Sequence, residues 1–157
     1  MPHREVLASA LGRIASGLFI LTAGSGETET GMLVSWVQQC SFDPPQVTLA
    51  VQRERFMHDL LTNGARFALN TLAAGQTDLL KHFGKGFDRG QPAFNGLVVD
   101  HSPGVPILPA ALAHLTCEVA GRCKAGDHDL IIGRVTGGGL HGEGQPFVHV
   151  RKSGLRY

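Results

Sequence analysis

Two apolar runs set either side of a double proline constrain this chain more than anything else in it. Met32, Leu33 and Val34 read as a buried strand that Ser35 interrupts, and Trp36 and small or polar groups follow as far as Cys40 and Ser41. Asp43-Pro44-Pro45 cannot continue a helix, because proline lacks an amide proton and clashes with the preceding turn, so the chain must turn there. Val47-Thr48-Leu49-Ala50-Val51 follows at once as a second strand. Neighbouring strands with hydroxyls and amides among apolar residues suit a flat, amphipathic ligand lying against a sheet.

Arg4 to Ser16 places Val6, Leu7, Ala10, Leu11 and Ile14 at helical spacing, and Gly17 ends that helix before an apolar strand over Leu18–Ala23. Gly24-Ser25-Gly26-Glu27 reads as a turn, which predicts a hairpin between this strand and the one opening at Gly31. A short helix is predicted from Phe56 to Leu61, stopped by Asn63-Gly64, then a strand over Phe67–Asn70. Another short helix is predicted over Asp78–Phe83, with Thr77 as its candidate N-cap. Gly84 to Pro109, rich in Gly and Pro, reads as a long surface loop, and loops of that length are usually functional or interface elements. Strands return at Leu115–Val119, Leu130–Val135 and Phe147–Val150, with Gly137-Gly138-Gly139 separating the last two. The strands outnumber the helices and lack the β-α-β alternation of a doubly wound sheet. The predicted fold is mainly β, a closed or nearly closed β-barrel with peripheral helices, formed by residues 1–157 as a single domain.

A formal net charge of +1 favours neither nucleic acid nor an anionic membrane as partner. No apolar run approaches membrane-spanning length and no leader pattern opens the chain, so a cytoplasmic location is expected. The three cysteines, Cys40, Cys117 and Cys123, are odd in number and form no C-x-x-C pair. They are read as reduced thiols packed as small hydrophobes. None of the eight histidines stands two to four residues from another, so no metal site is predicted.

Phosphate-binding glycine motifs are missing. The nearest to G-x-G-x-x-G is Gly84-x-Gly86 with Gly90 one place late, inside a loop, and neither a P-loop nor a G-x-S-x-G elbow occurs. Arg53-Glu54-Arg55-Phe56 stands where a strand ends and a helix begins. Its guanidinium groups and free amide groups would hold a phosphate there, although read alone both arginines are solvated surface residues. Lys81-His82-Phe83-Gly84 could present a cation, an imidazole and a ring to a pocket, or simply end a helix. In Gly126-Asp127-His128-Asp129 two carboxylates flank an imidazole at the start of an apolar strand. They favour its charged form at a strand end, or the residue is a surface turn histidine.

These segments, in this order, resemble the flavin reductase-like family. The likeness runs from about Glu5 to Tyr157 and rests on the small-residue strand with its S-x-D-P-P turn, on Leu11–Ala23, Lys81-His82-Phe83-Gly84, Pro106-Ile107-Leu108, Gly126-Asp127-His128 and Ile132-Gly133-Arg134-Val135. It implies an FMN-binding split β-barrel in which Met32, Leu33, Val34, Ser35 and Trp36 line the isoalloxazine ring. Cys40 and Ser41 would reach its polar edge or ribityl chain, and Arg53, Arg55 and Phe56 would hold the phosphate. Many relatives place a Ser or Thr there, but residues 54–58 contain none. His82 and Phe83 match a segment that closes over the flavin, often from a neighbouring subunit, and His128 matches a histidine near the nicotinamide.

The implied activity is that of an NAD(P)H:flavin oxidoreductase working as a homodimer, with hydride passing from the nicotinamide nucleotide to flavin N5. Electrons would go on to free flavin or to a partner such as a monooxygenase or a flavodiiron core. The alternative is a non-enzymic FMN-binding electron-transfer protein. A pyridoxal-phosphate oxidase or haem-binding split barrel would share the fold but not the flavin-reductase motifs. The ending His149-Val150-Arg151-Lys152-Ser153-Gly154 is similar to the C-terminal module of cyanobacterial-type diflavin flavodiiron proteins, which leaves open a stand-alone relative or part of a longer chain. With no Rossmann acidic residue to read, the choice between NADH and NADPH is also open.

Overall fold

A computed structural model describes residues 2–157. Helix α1 (Pro2–Gly12) leads through a two-residue strand β1 (Ser16–Gly17) into β2 (Phe19–Ala23), and β3 (Thr30–Val34) returns beside it as the predicted hairpin. After Ser35 and Trp36 come β4 (Val37–Phe42), the Asp43-Pro44 turn and β5 (Pro45–Gln52). Helix α2 (Phe56–Leu60), β6 (Arg66–Thr71) and helix α3 (Thr77–Gly84) follow. Two strands of 13 residues each, β7 (Ala113–Ala125) and β8 (His128–Leu140), and the short β9 (Val148–His149) complete the order.

Seven of these strands form one antiparallel sheet in the order β3-β2-β6-β7-β8-β5-β4, while β1 pairs only with β9. Its two edges, β3 and β4, are consecutive in the chain with only Ser35 and Trp36 between them. Laid flat, six gaps of roughly 4.8 Å would hold those edges about 29 Å apart. The chain from Val34 to Val37 spans at most about 11 Å. The sheet must therefore roll until its edges meet, and the Trp36 carbonyl accepts a 3.1 Å hydrogen bond from the Ala50 amide at the crossing. Among the described residues no ladder joins β3 to β4, so the nearly closed form is found rather than the closed barrel.

Inside the roll, Leu21, Val34, Leu49, Phe67, Leu69, Val119 and Ile131 pack together, with Met57 and Leu61 closing one end. The outer faces of β2 and β6 are buried too. Ile20 packs with Leu79 and Phe83 of α3 and with Leu108, and Ala68 packs with Val105 and Ile107. This explains why β2 reads as a continuous apolar run rather than an alternating one. The long segment after α3 is irregular, as predicted, but it forms a structural layer. Asn70, fully buried, donates to the Ile20 carbonyl and to Thr22 Oγ1 and accepts from the Leu108 amide, pinning that segment to the sheet.

Four local expectations change. Helix α1 stops at Gly12, and Val6, Leu7 and Ile14 are exposed, so its apolar stripe meets no core in this chain. Gln76 occupies the N-cap of α3, Thr77 is its first residue, and no side chain caps it. Only Cys117 packs as a small hydrophobe, with its thiol pushed up to about 12 by burial, whereas Cys40 and Cys123 are exposed. Finally, Gly137, Gly138 and Gly139 do not separate strands but continue β8, opposite Thr116, Leu115 and His114. A Cβ on Gly138 would sit 2.8 Å from the His114 carbonyl oxygen, which a side chain cannot share.

That contact sets the sign of a substitution. Alanine ordinarily gains about 0.5–1 kcal/mol over glycine within a strand, but Gly138→Ala should lose roughly 1–3 kcal/mol because the backbone must shift. Gly142→Ala, with nothing within 4 Å of its Cβ, should be neutral or stabilising. Thermal midpoints of the two variants separate the cases, and equal midpoints would refute the close approach.

Candidate functional site

The open seam between β3 and β4 carries a cleft. Its floor is the end of β3, from Met32 to Val34, with Ser35 and Trp36, and one wall is Ala50 and Gln52 of β5 with His128 opposite Gln52. The other wall is Phe83, Gly84 and Gly86 at the end of α3, with Arg55 between the two. Helix α3 can lie this close because Gly31 has no side chain: a Cβ there would meet the Phe83 ring at 2.6 Å. Because β3 is a sheet edge, its outer amide and carbonyl groups are free of ladder hydrogen bonds and available to a ligand.

His128 is fixed by its neighbours. Its Nδ1 lies 2.7 Å from Asp127 Oδ1, and a carboxylate only accepts, so Nδ1 carries a proton and Nε2 is left to face the cleft. The same hydrogen bond holds the Asp127 carboxyl below its ordinary value. The His128 ring lies 4.9 Å from that of Trp36, which also carries the Arg151 guanidinium at 4.9 Å and the Tyr157 ring at 5.8 Å. The Tyr157 hydroxyl stands 3.5 Å from His128 Nε2. Helix α1 holds this tail: its Ala8 and Gly12 carbonyls accept from the amides of Gly154 and Arg151. A Cβ on Gly12 or Gly154 would collide with the opposing segment, so both positions require glycine.

Behind His128 the next residue points the other way. Asp129 is buried on the inner side and accepts from Arg53 Nε at 2.9 Å, His58 Nε2 at 2.7 Å and Arg122 Nη2 at 3.1 Å. Those bonds, from His58 and Arg53 foremost, hold its carboxyl far below the usual range. Arg53 also donates to the His128 carbonyl at 3.0 Å, so one guanidinium ties the start of β8 to the end of β5. Burying such a group is favourable only because every oxygen is partnered.

The structure thus brings together Met32, Leu33, Val34, Ser35, Trp36, Arg55, Phe83 and His128. It leaves five other sequence candidates outside the cleft. Cys40 and Ser41 stand on the outer edge strand β4, and the Arg53 guanidinium is committed to Asp129. His82 Nε2 donates to the Ala93 carbonyl, and Phe56 lies under the Arg89 guanidinium at 4.4 Å. Sequence reasoning missed Gln52, Gly86, Arg151 and Tyr157. Only the His149–Gly154 motif touched one of them, Arg151, and it carried no role.

The model of the family described as "Flavin reductase like domain" matches residues 11–154. The chain is 46% identical over 154 residues to Diflavin flavoprotein A 1 of Synechocystis sp., covering 96% of this chain and 27% of that protein. It therefore spans about a quarter of that relative's length. Among solved structures it is similar to the NADH:FAD oxidoreductase SgcE6 of Streptomyces globisporus, with a TM-score of 0.82 and 26% identity over 90% of this chain and 85% of that one. It is also similar to the styrene monooxygenase flavin reductase of Pseudomonas putida, with a TM-score of 0.77 and 32% identity over 90% of both chains. The chain belongs to the flavin reductase-like family.

The Asp129 cluster makes a pH-dependent prediction. Its carboxyl is lowered from the ordinary 3.8 in the folded chain, so its stabilisation is complete above that value and disappears as pH falls through the lower folded one. Asp129→Asn should be clearly less stable than the parent near neutral pH, and the gap should close below about pH 3.8. Urea denaturation across that range checks this, and a gap independent of pH would remove the ion pairing.

Proposed function

We propose that this member of the flavin reductase-like family is an NAD(P)H:flavin oxidoreductase that holds FMN in the cleft along β3. One observation carries the reading. Met32–Trp36, Arg55, Phe83 and His128 are scattered along the chain, were assigned separately to flavin and nicotinamide, and line one cleft. The chemistry of that lining fits a flavin: apolar Met32 and Leu33 beside the free polar edge of β3, the Ser35 hydroxyl, and Arg55 for an anionic end. Bound flavin supplies the redox chemistry, accepting hydride at N5 from nicotinamide C4.

The protein's part is binding and orientation. Phe83 and Trp36 would bracket the flat ligands and exclude water, while Arg55 attracts the phosphate-bearing end. His128, with Nδ1 locked by Asp127, would orient the nicotinamide through Nε2, and Arg53 would hold the His128 main chain rather than a phosphate. Such positioning can contribute roughly 7–11 kcal/mol of barrier reduction. Release of electrons to free flavin or to a partner protein belongs to the same reading, supported by the styrene monooxygenase reductase and the diflavin relative. So does a homodimer, supported by the exposed apolar side chains of Ile14, Phe42 and Val148.

The first experiment is a visible spectrum of the protein loaded with FMN or FAD, followed by NADH or NADPH without oxygen. Bleaching of bound FMN is the expected result and identifies the donor. A yellow protein that stays oxidised would favour the non-enzymic electron carrier, and one that takes up neither flavin would defeat both readings. His128→Ala should keep FMN and slow its reduction about 10- to 100-fold. Unchanged kinetics would take His128 out of the site.

A further inference from the structure

Tyr157 stands where a hydride donor would have to lie. Its ring covers that of Trp36 at 5.8 Å, and its hydroxyl is 3.5 Å from His128 Nε2, the atom given above to the nicotinamide. The cleft that these groups share with Phe83 encloses about 230 Å³. Sites for one drug-sized ligand begin near roughly 300 Å³, and hydride transfer needs a flavin and a nicotinamide here together. Part of the lining must therefore move. The floor and one wall belong to sheet ladders and Phe83 is buried, so those sides are fixed. The tail is held differently. The Gly154 amide donates to the Ala8 carbonyl at 2.7 Å, and a Cβ on Gly154 would collide with Leu11, so this position is anchored. Beyond it, among the described residues, no backbone-to-backbone hydrogen bond reaches Leu155, Arg156 or Tyr157, and all three are exposed. Tyr157 keeps 80% of its surface in solvent, so its ring lies on Trp36 as a cover rather than packing into a core. Three residues can span about 10 Å, enough to carry that ring off the cleft.

We propose that Tyr157 closes the donor side of the cleft in the unliganded chain and that the nicotinamide nucleotide displaces it, residues 155–157 swinging out about Gly154. The inference rests on the flavin reading above and adds a self-occluded state to it. Trp36 and His128 Nε2 serve the tyrosine before they serve the donor, so donor affinity depends on the fraction of chains already open. A stacked pair this exposed is weak, and closure should lower donor affinity only about 3- to 10-fold.

Binding of NAD+ and NADP+ to the FMN-loaded, oxidised protein tests this without turnover, by calorimetry on the parent and on Tyr157→Ala. The variant should bind its preferred nucleotide about 3- to 10-fold more tightly, a gain that mere structural damage would not produce. Because the chain holds one tyrosine, 3-fluorotyrosine gives a single fluorine resonance for this ring. Adding the nucleotide to the parent should move that resonance toward its position in the urea-unfolded chain. Equal or weaker binding by Tyr157→Ala would overturn the proposal. So would a resonance that stays in place or moves away from the unfolded position as nucleotide binds, since the ring would then be clamping the donor. A protein that takes up FMN but binds neither nucleotide, as parent or variant, would overturn it while leaving flavin binding intact. One that takes up neither FMN nor FAD would defeat the flavin reading, and this inference with it.

Discussion

The two-residue link between the edge strands governs the rest of this molecule. A seven-stranded sheet whose outermost strands are joined by Ser35 and Trp36 has no flat solution, because the reach of the chain is less than half the width of the sheet. Rolling up creates the interior that Leu49, Phe67 and Ile131 fill. The same link prevents completion, since β3 passes into β4 through a bend rather than a ladder. The seam left along β3 combines free backbone polar groups with apolar side chains, which is what a planar heterocycle with one polar edge requires. Site and fold therefore have a single origin.

Around that seam the molecule is fastened from both sides. Outside, Asn70 fixes the irregular segment that backs α3, so Phe83 reaches β3 from a supported position. Inside, Asp129 gathers Arg53, His58 and Arg122 from three different elements and so holds the end of the β7–β8 hairpin against α2. A buried carboxylate with that many donors specifies geometry more than it adds stability, because desolvation offsets much of the attraction. The tail adds a third fastening, anchored on α1 and stacked on Trp36. Neither apolar packing nor any one strand ladder would align His128, Trp36 and Arg55 alone.

Much of this was legible in the residues. The proline turn, the β2–β3 hairpin and the two short helices follow from local chemistry, and the composition of Met32–Trp36 pointed at the cleft floor. What stayed hidden depended on partners distant in sequence. Gly137–Gly139 look like a linker until the facing strand, with the His114 carbonyl crowding any Cβ at Gly138, shows why glycine stands there. Arg53 and Arg55 are indistinguishable as a pair of exposed cations. Their opposite directions become clear only once Asp129 claims one of them. Tyr157 meets Trp36 across most of the chain, and no local periodicity encodes that stacking. The apolar residues of α1 misled for the converse reason, since periodicity states which face could be buried and not whether anything covers it.

The turn between β7 and β8 has an evolutionary corollary. Gly126, at φ +62, and Asp127 form a two-residue connection that closes Ala125 onto His128. Because side chains alternate along a strand, His128 faces the cleft while Asp129 faces the ion cluster. Inserting or deleting one residue at this tip would shift the register by one and exchange the two, sending the carboxylate to the ligand and the imidazole to the arginines. Hairpin tips on protein surfaces commonly tolerate such changes in length. This one is held to a fixed length by chemistry on both of its faces, so homologues should keep the spacing from Ala125 to His128 even where the sequence around the tip changes.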